Sequence, residues 1–363
     1  MGYRFKDMKK WQKNRLLFCF IFVVVVSVVY LSICSVRLYR DRAGEDKYWT
    51  DALTTNEAVL DKVESRGADA VQVSVGTYIE NLKEVSIKNS SYRLVMQVWF
   101  KWQGDQALDM ASNFHVYKGT INKTEMLKEY HEGNEHYQLV RMDVTLTKNY
   151  WTCRFPLESH QLRCYLESNY PAQDVIFVAD KENSGLNGNM SIAGFDIRRY
   201  DTGVFYNEYD STHGDPELAD PIITAEHVTA LELNRSSIGL YIKCIIALFG
   251  TTLWVLITLF ICTFHYVDPL GMIPAALFGT VSNIMVGANL LPDALEMGLL
   301  EFINMWGVYT IIIVALAVIN INRIRNKFED REFAQYFGRI IFTTILFFTL
   351  VGHLLLPICA YMI

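Results

Sequence analysis

Two cysteines, Cys153 and Cys164, flank a polar, proline-containing turn within the stretch "RFPLESHQLRCYLESNYPAQD", Arg154 to Asp174. Such a pair can staple a hairpin across two strands in an oxidising compartment or supply half of a thiolate metal site. A two-residue turn at Glu158 and Ser159 would set the thiols opposite each other, but Glu-Ser is a poor sequence for that turn, so neither role is a third reading. A second constellation is His131 and His136 in an acidic loop with Glu132 and Glu135. It could attract a divalent cation, and it also reads as a solvated polar loop. Of the seven cysteines, at 19, 34, 153, 164, 244, 262 and 359, five lie in apolar runs. No CxxC, HExxH, Gly-rich phosphate loop, nucleophile elbow or convincing carboxylate pair accompanies them. The expectation is therefore no enzyme, no metal and no cofactor.

The elements that must position these residues are those of a membrane protein. The chain has 363 residues, 51% of them apolar, and a mean hydropathy of +0.15, well above an ordinary soluble chain. Five apolar runs reach the roughly 20 residues a bilayer span requires: Leu16–Val36, Ile238–Thr263, Leu270–Leu291, Phe302–Ile321 and Ile340–Ile363. Arg4, Lys6, Lys9, Lys10, Lys13 and Arg15 precede the first run, and Arg323, Arg325, Lys327, Arg331 and Arg339 follow the fourth. Positive residues stay cytoplasmic, so the N-terminus reads as inside, with the large polar segment and the C-terminus outside, in a cell (inner) membrane. Ser32 and Cys34 would make a cleavage site, yet the first run exceeds the ~7 to 15 residues of a signal core, which favours a retained anchor.

Residues 37–237 hold 31 acidic and 21 basic side chains, a net charge of −10, against +4 for the rest. This balance repels nucleic acid and concentrates cations. "DRAGEDKYWTDALTTNEAVLDK" has helical spacing, and a leading helix or linker is expected over 37–70. From Val71 the period becomes two: Leu94, Met96, Val98, Phe100 and Trp102 share one face of "LVMQVWFKW". Similar segments follow at Tyr137–Thr147, "HQLRCYLES", "DVIFVAD", "FDIRRYDTGVFY" and Ile222–Asn234, separated by turn residues, which predicts a β-sandwich over 71–237. Trp99 and Trp102 read as core. The fold class is thus β + α: an extracellular or periplasmic β-sandwich followed by a four-helix transmembrane bundle (238–363), preceded by one N-terminal transmembrane anchor (1–36).

This order resembles the pentameric ligand-gated ion channel, or Cys-loop receptor, superfamily. "RFPLESHQL" is similar to its aromatic-Pro-aliphatic-acid turn, with Phe155, Pro156, Leu157 and Glu158 in those roles. "LESNYPAQDVIF" resembles the next strand and its tyrosine-bearing loop, Arg235 stands where the family has a basic residue before its bundle, and "NLLPD" resembles the outer end of the pore helix. The short cytoplasmic loop looks like the bacterial branch; the N-terminal span departs from the pattern. Lys148 and Leu162 occupy the family's bridging positions, so the resemblance implies no Cys-loop disulfide.

What the resemblance implies is a homopentamer in membrane lipid, gated by a small molecule, ion or proton at the outer domain. Its pore would be lined by Gly271, Ala275, Phe278, Ser282, Met285 and Asn289, with Asp268 at the cytoplasmic mouth favouring cations and Phe278 as a hydrophobic constriction. Phe155, Pro156, Leu157, Glu158, Arg235 and Pro292 would couple the domains, and Tyr170, Tyr206 and Tyr209 would line a ligand cage. Two features pull against it. Pro274 favours a helix starting near Ile273, and Ala275, Gly279, Asn283 and Gly287 form a small-residue face able to close a tight, non-conducting bundle. A non-conducting membrane sensor of the same fold is the alternative.

Overall fold

The computed structural model describes residues 5, 8–51, 55, 57–67, 69–212, 214, 222–291 and 296–361. It divides into two compact units. Residues 1–43, 151–158 and 238–363 form a helical unit, and residues 44–150 and 159–237 form a β unit.

Alternating apolar residues build the β unit. Strands β1 (Val71–Ser86), β2 (Ser91–Gln103), β4 (Gly119–Glu132), β5 (Glu135–Thr147) and β7 (Val175–Ala179) form one sheet in the order β4-β5-β2-β1-β7, with the short β8 (Gly185–Leu186) also on β1. Strands β3 (Phe114–Val116), β6 (Ser159–Pro171), β10 (Ile223–Arg235) and β9 (Phe195–Glu208) form the second, in that order. Leu94, Met96, Val98, Phe100 and Trp102 are all buried between the sheets, with Val73, Val75, Leu162, Cys164, Leu231 and Leu233. Trp99 is buried on the opposite face of β2, over Gly76 of β1, where an added Cβ would stand 2.2 Å from the indole.

The leading segment differs from expectation. Helix α1 runs unbroken from Lys10 to Asp51, so the N-terminal span and most of the expected linker helix are one element, and α2 (Glu57–Arg66) is separate. The charged residues after Val36 do not end the helix, because none of them is a breaker and Gly44 stands in open space.

In the helical unit α1 packs with α3 (Gly239–Phe264), α4 (Ile273–Leu290), α5 (Leu299–Lys327) and α6 (Arg331–Tyr361). Among the described residues these five helices are long and apolar enough to cross a bilayer, and the chain is a multi-pass membrane protein. Polar side chains register α1 on its neighbours: Arg15 donates to Asn320 at 2.6 Å, Ser27 and Tyr309 hydroxyls meet at 3.2 Å, and Tyr30 donates to the Phe302 carbonyl at 2.7 Å. Glycines admit close approach. A Cβ at Gly279, Gly287, Gly307, Gly338 or Gly352 would come within 2.8 Å of Thr251, Leu300, Leu248, Thr263 or Trp306 respectively.

Candidate functional site

Helix α4 begins at Ile273 with Pro274 in its first turn, where the missing N–H costs nothing. Gly271 lies in the preceding 3₁₀ turn, and Asp268 Oδ1 accepts from Leu270 N at 3.2 Å. The helix has two unlike sides. Ile273, Ala276, Thr280, Asn283 and Gly287 are buried against the rest of the unit, with Asn283 donating to Asn304 of α5 at 2.7 Å. Ala275, Phe278, Ser282, Met285 and Asn289, spaced by three and four, are all exposed; Phe278 is 77% exposed. Ser282 and Asn289 donate back to the carbonyls of Phe278 and Met285, and among the described residues they donate to no other element. The small-residue face is thereby split: Gly279, Asn283 and Gly287 pack within the chain, and Ala275 does not.

The proline turn belongs to the helical unit. Phe155–Pro156 is a cis peptide, and Cys153, Arg154, Phe155, Leu157 and Glu158 are buried. The Cys153 carbonyl accepts from Leu299 N at 2.7 Å at the start of α5, close enough that a Cβ on Gly298 would stand 2.4 Å from that oxygen. Arg154 Nε donates to Asp41 of α1 at 3.0 Å. Cys153 and Cys164 are free thiols in different apolar clusters, Cys164 deep in the sandwich. The cross-strand staple is therefore not formed. Pro292 lies outside the described residues. Arg235, in the β unit, stacks over Phe195 at 4.1 Å.

The three tyrosines are packed or hydrogen-bonded within the β unit. Tyr170 donates to the Leu108 carbonyl at 2.9 Å and, like Tyr206, packs on the sandwich core. Tyr209 donates to Glu167 at 2.6 Å. Most of the loop after Thr212 lies outside the described residues. His131 and His136 stand with their Nδ1 atoms 2.8 Å apart, and His136 is further committed to the Gly104 carbonyl; among the described residues no cluster could hold a metal ion.

Two polar sites escaped the sequence reading. The last turns of α1, within the β unit, lie on the face of the second sheet turned away from the core. Ser159 donates to Glu45 at 2.8 Å, Gln161 to the Glu45 carbonyl at 2.7 Å, and Arg199 to Asp46 at 2.8 Å and to the buried Glu232. The Arg163 guanidinium stacks over Tyr48 at 4.5 Å, and that of Arg199 over Trp49 at 4.8 Å. Further along the same face Glu167 and Glu226 stand opposite each other on β6 and β10, a buried carboxylate pair where none was expected. Nothing local could have announced it, because the partners are far apart in the chain and are brought together by register alone. Their neighbour His227 faces the other way, into the core, where burial pushes its pKa down to about 3.

Compared with protein-family models and with curated proteins, the chain matches none.

Proposed function

We propose that the chain is one subunit of a ring-forming cation channel of the pentameric ligand-gated kind, with α4 lining the axial pore and the β unit lying outside as ligand domain. The observation that carries this reading is the sidedness of α4. Ala275, Phe278, Ser282, Met285 and Asn289 form an uninterrupted exposed stripe that includes two polar residues. An apolar stripe alone would suit lipid, whereas a membrane helix gains nothing by turning Ser and Asn toward hydrocarbon. The competing, tightly closed bundle needs the small-residue face free for neighbouring copies, and Gly279, Asn283 and Gly287 are already occupied by Thr251, Asn304 and Leu300.

In a ring of copies the stripe would present Phe278 as the narrowest apolar girdle, closing by dewetting, with Ser282 and Asn289 wetting the path on its far side. Asp268, exposed just ahead of the helix, would set a ring of carboxylates at the mouth and select cations. The buried turn 151–158, fixed to the start of α5 through Leu299 and Cys153, would serve as the foot through which the β unit moves the helices. The test is reconstitution of the purified chain in planar bilayers, with currents recorded across pH and small cationic ligands. Cation currents that Phe278→Ala makes persistent are expected. Electrical silence from intact oligomers would point instead to a non-conducting sensor.

A further inference from the structure

We infer that Glu167 and Glu226 together hold a single proton, so that the β unit carries a proton-binding site where β9 ends and β10 begins. The pair is placed by register: Glu226 is directly opposite Glu167 across the antiparallel β6–β10 ladder, at the short spacing where like charges repel. Both are shut off from water, at 1% and 2% exposure. Among the described residues no lysine or arginine pairs with either carboxyl.

The two oxygens of Glu167 are treated differently. Oε1 is saturated by the hydroxyls of Tyr209 and Thr224, each donating at 2.6 Å. Oε2 is buried and receives no hydrogen bond, although Glu226 stands directly across the ladder from Glu167. A buried acceptor without a donor is costly, and so are two desolvated negative charges side by side. One proton on Glu226 cures both, since it neutralises one carboxylate and makes it the donor the other lacks.

Other titratable and charged groups face the pair. On β3, His115 Nε2 stands 3.1 Å from Glu167 Oε2 without hydrogen-bond geometry, its Nδ1 bonded to Asn169. On β6, Tyr165 stacks edge-on against Phe205 of β9, and Arg163 on the same face is engaged by Tyr48 and Trp49 of α1. After β9, Tyr209 is the donor already named. Burial first, and the Glu167 charge second, push the Glu226 acid up to about 8. The site is thus occupied at neutral pH, and raising the pH transfers its proton to solvent. Two negative charges then face each other beside the Tyr209 hydrogen bond to Glu167. This concerns the β unit alone and holds whether or not the helices conduct.

The test uses the full chain in detergent micelles. Infrared difference spectra between about pH 6 and about pH 9 should show one carboxylic-acid C=O band that disappears on titration. Glu226→Gln removes the band, while the exposed-site control Glu125→Gln and His115→Asn both retain it. In parallel the wild-type melting temperature falls as pH rises, because a folded-state pKa raised above the unfolded one gives stabilisation that is lost on the way up through about 8; Glu226→Gln lacks this contribution to the fall. If that variant fails to fold, Glu167→Gln removes the Glu167 charge, the second cause of the raised value, and moves both the loss of the band and the fall in melting temperature to lower pH. A band that persists in Glu226→Gln, a band that titrates unchanged in Glu167→Gln, a band lost in His115→Asn, or a wild type without one at neutral pH overturns the inference.

Discussion

Single residues set the pH window of the β unit from both ends. Arg93 grips Asp143 through Nε at 2.7 Å and its terminal nitrogen at 2.9 Å, and Lys83 adds a contact at 2.5 Å. Hydrogen bonding from Arg93, ahead of the smaller help from Lys83 and Asn122, holds this carboxyl well below the usual range. A depressed folded-state pKa gives stabilisation that is full above the ordinary carboxyl value of about 4 and lost as pH falls below it. The stability gap between wild type and Asp143→Asn, measured by urea unfolding at a series of pH values, is therefore constant near neutrality and shrinks in acid. Its sign is opposite to that of Glu226, whose contribution falls as pH rises. Gly76 makes a steric prediction. Trp99 lies over it and donates to Asp180 at 3.0 Å, so Gly76→Ala must push the indole aside and costs about 1–3 kcal/mol, read as a lower urea midpoint with an unchanged slope. None of these pairs was visible in the sequence as a pair. The alternation from Leu94 to Trp102 announced which side of β2 was core, but what Trp99 covers is decided by β1, a different segment.

Among elements, α1 carries the most testable consequence. Leu31, Cys34 and Leu38 are buried with Leu157, Trp306 and Leu356, and the helix continues without a break past Ser32 and Cys34. A peptidase cut there would remove part of an apolar cluster, so the intact mass of protein purified from membranes will include the first 36 residues. At the other end Trp49, 8% exposed, packs against Arg163 and Arg199. Trp49→Ala costs about 3 kcal/mol in denaturant unfolding of the full chain. The span and the strands were legible because lipid and a two-faced sheet impose periods on local sequence. Strand β4 was not, being exposed on both faces at nearly every position and so lacking any alternation, and the reach of α1 was masked by the polar composition that its last turns share with linkers.

At the scale of the whole molecule, the pore reading predicts a pattern rather than a single effect. In a background with the native thiols removed, cysteines at Ser282 and Met285 should react with a membrane-impermeant thiol reagent and block current, whereas cysteines at Thr280 and Asn283, buried against the rest of the helical unit, stay silent. Reversing Asp268 to Lys shifts reversal potentials toward anion preference. Uniform reactivity around α4 would dissolve the stripe as a pore wall. The glycine contacts of the helical unit have a consequence of another kind. Close packing of helices in lipid does not draw on the release of water, while the sandwich core does and weakens on cooling. Cold therefore acts on the two units unequally, loosening the sheets while the helices keep their grip, and temperature becomes a handle for melting one without the other.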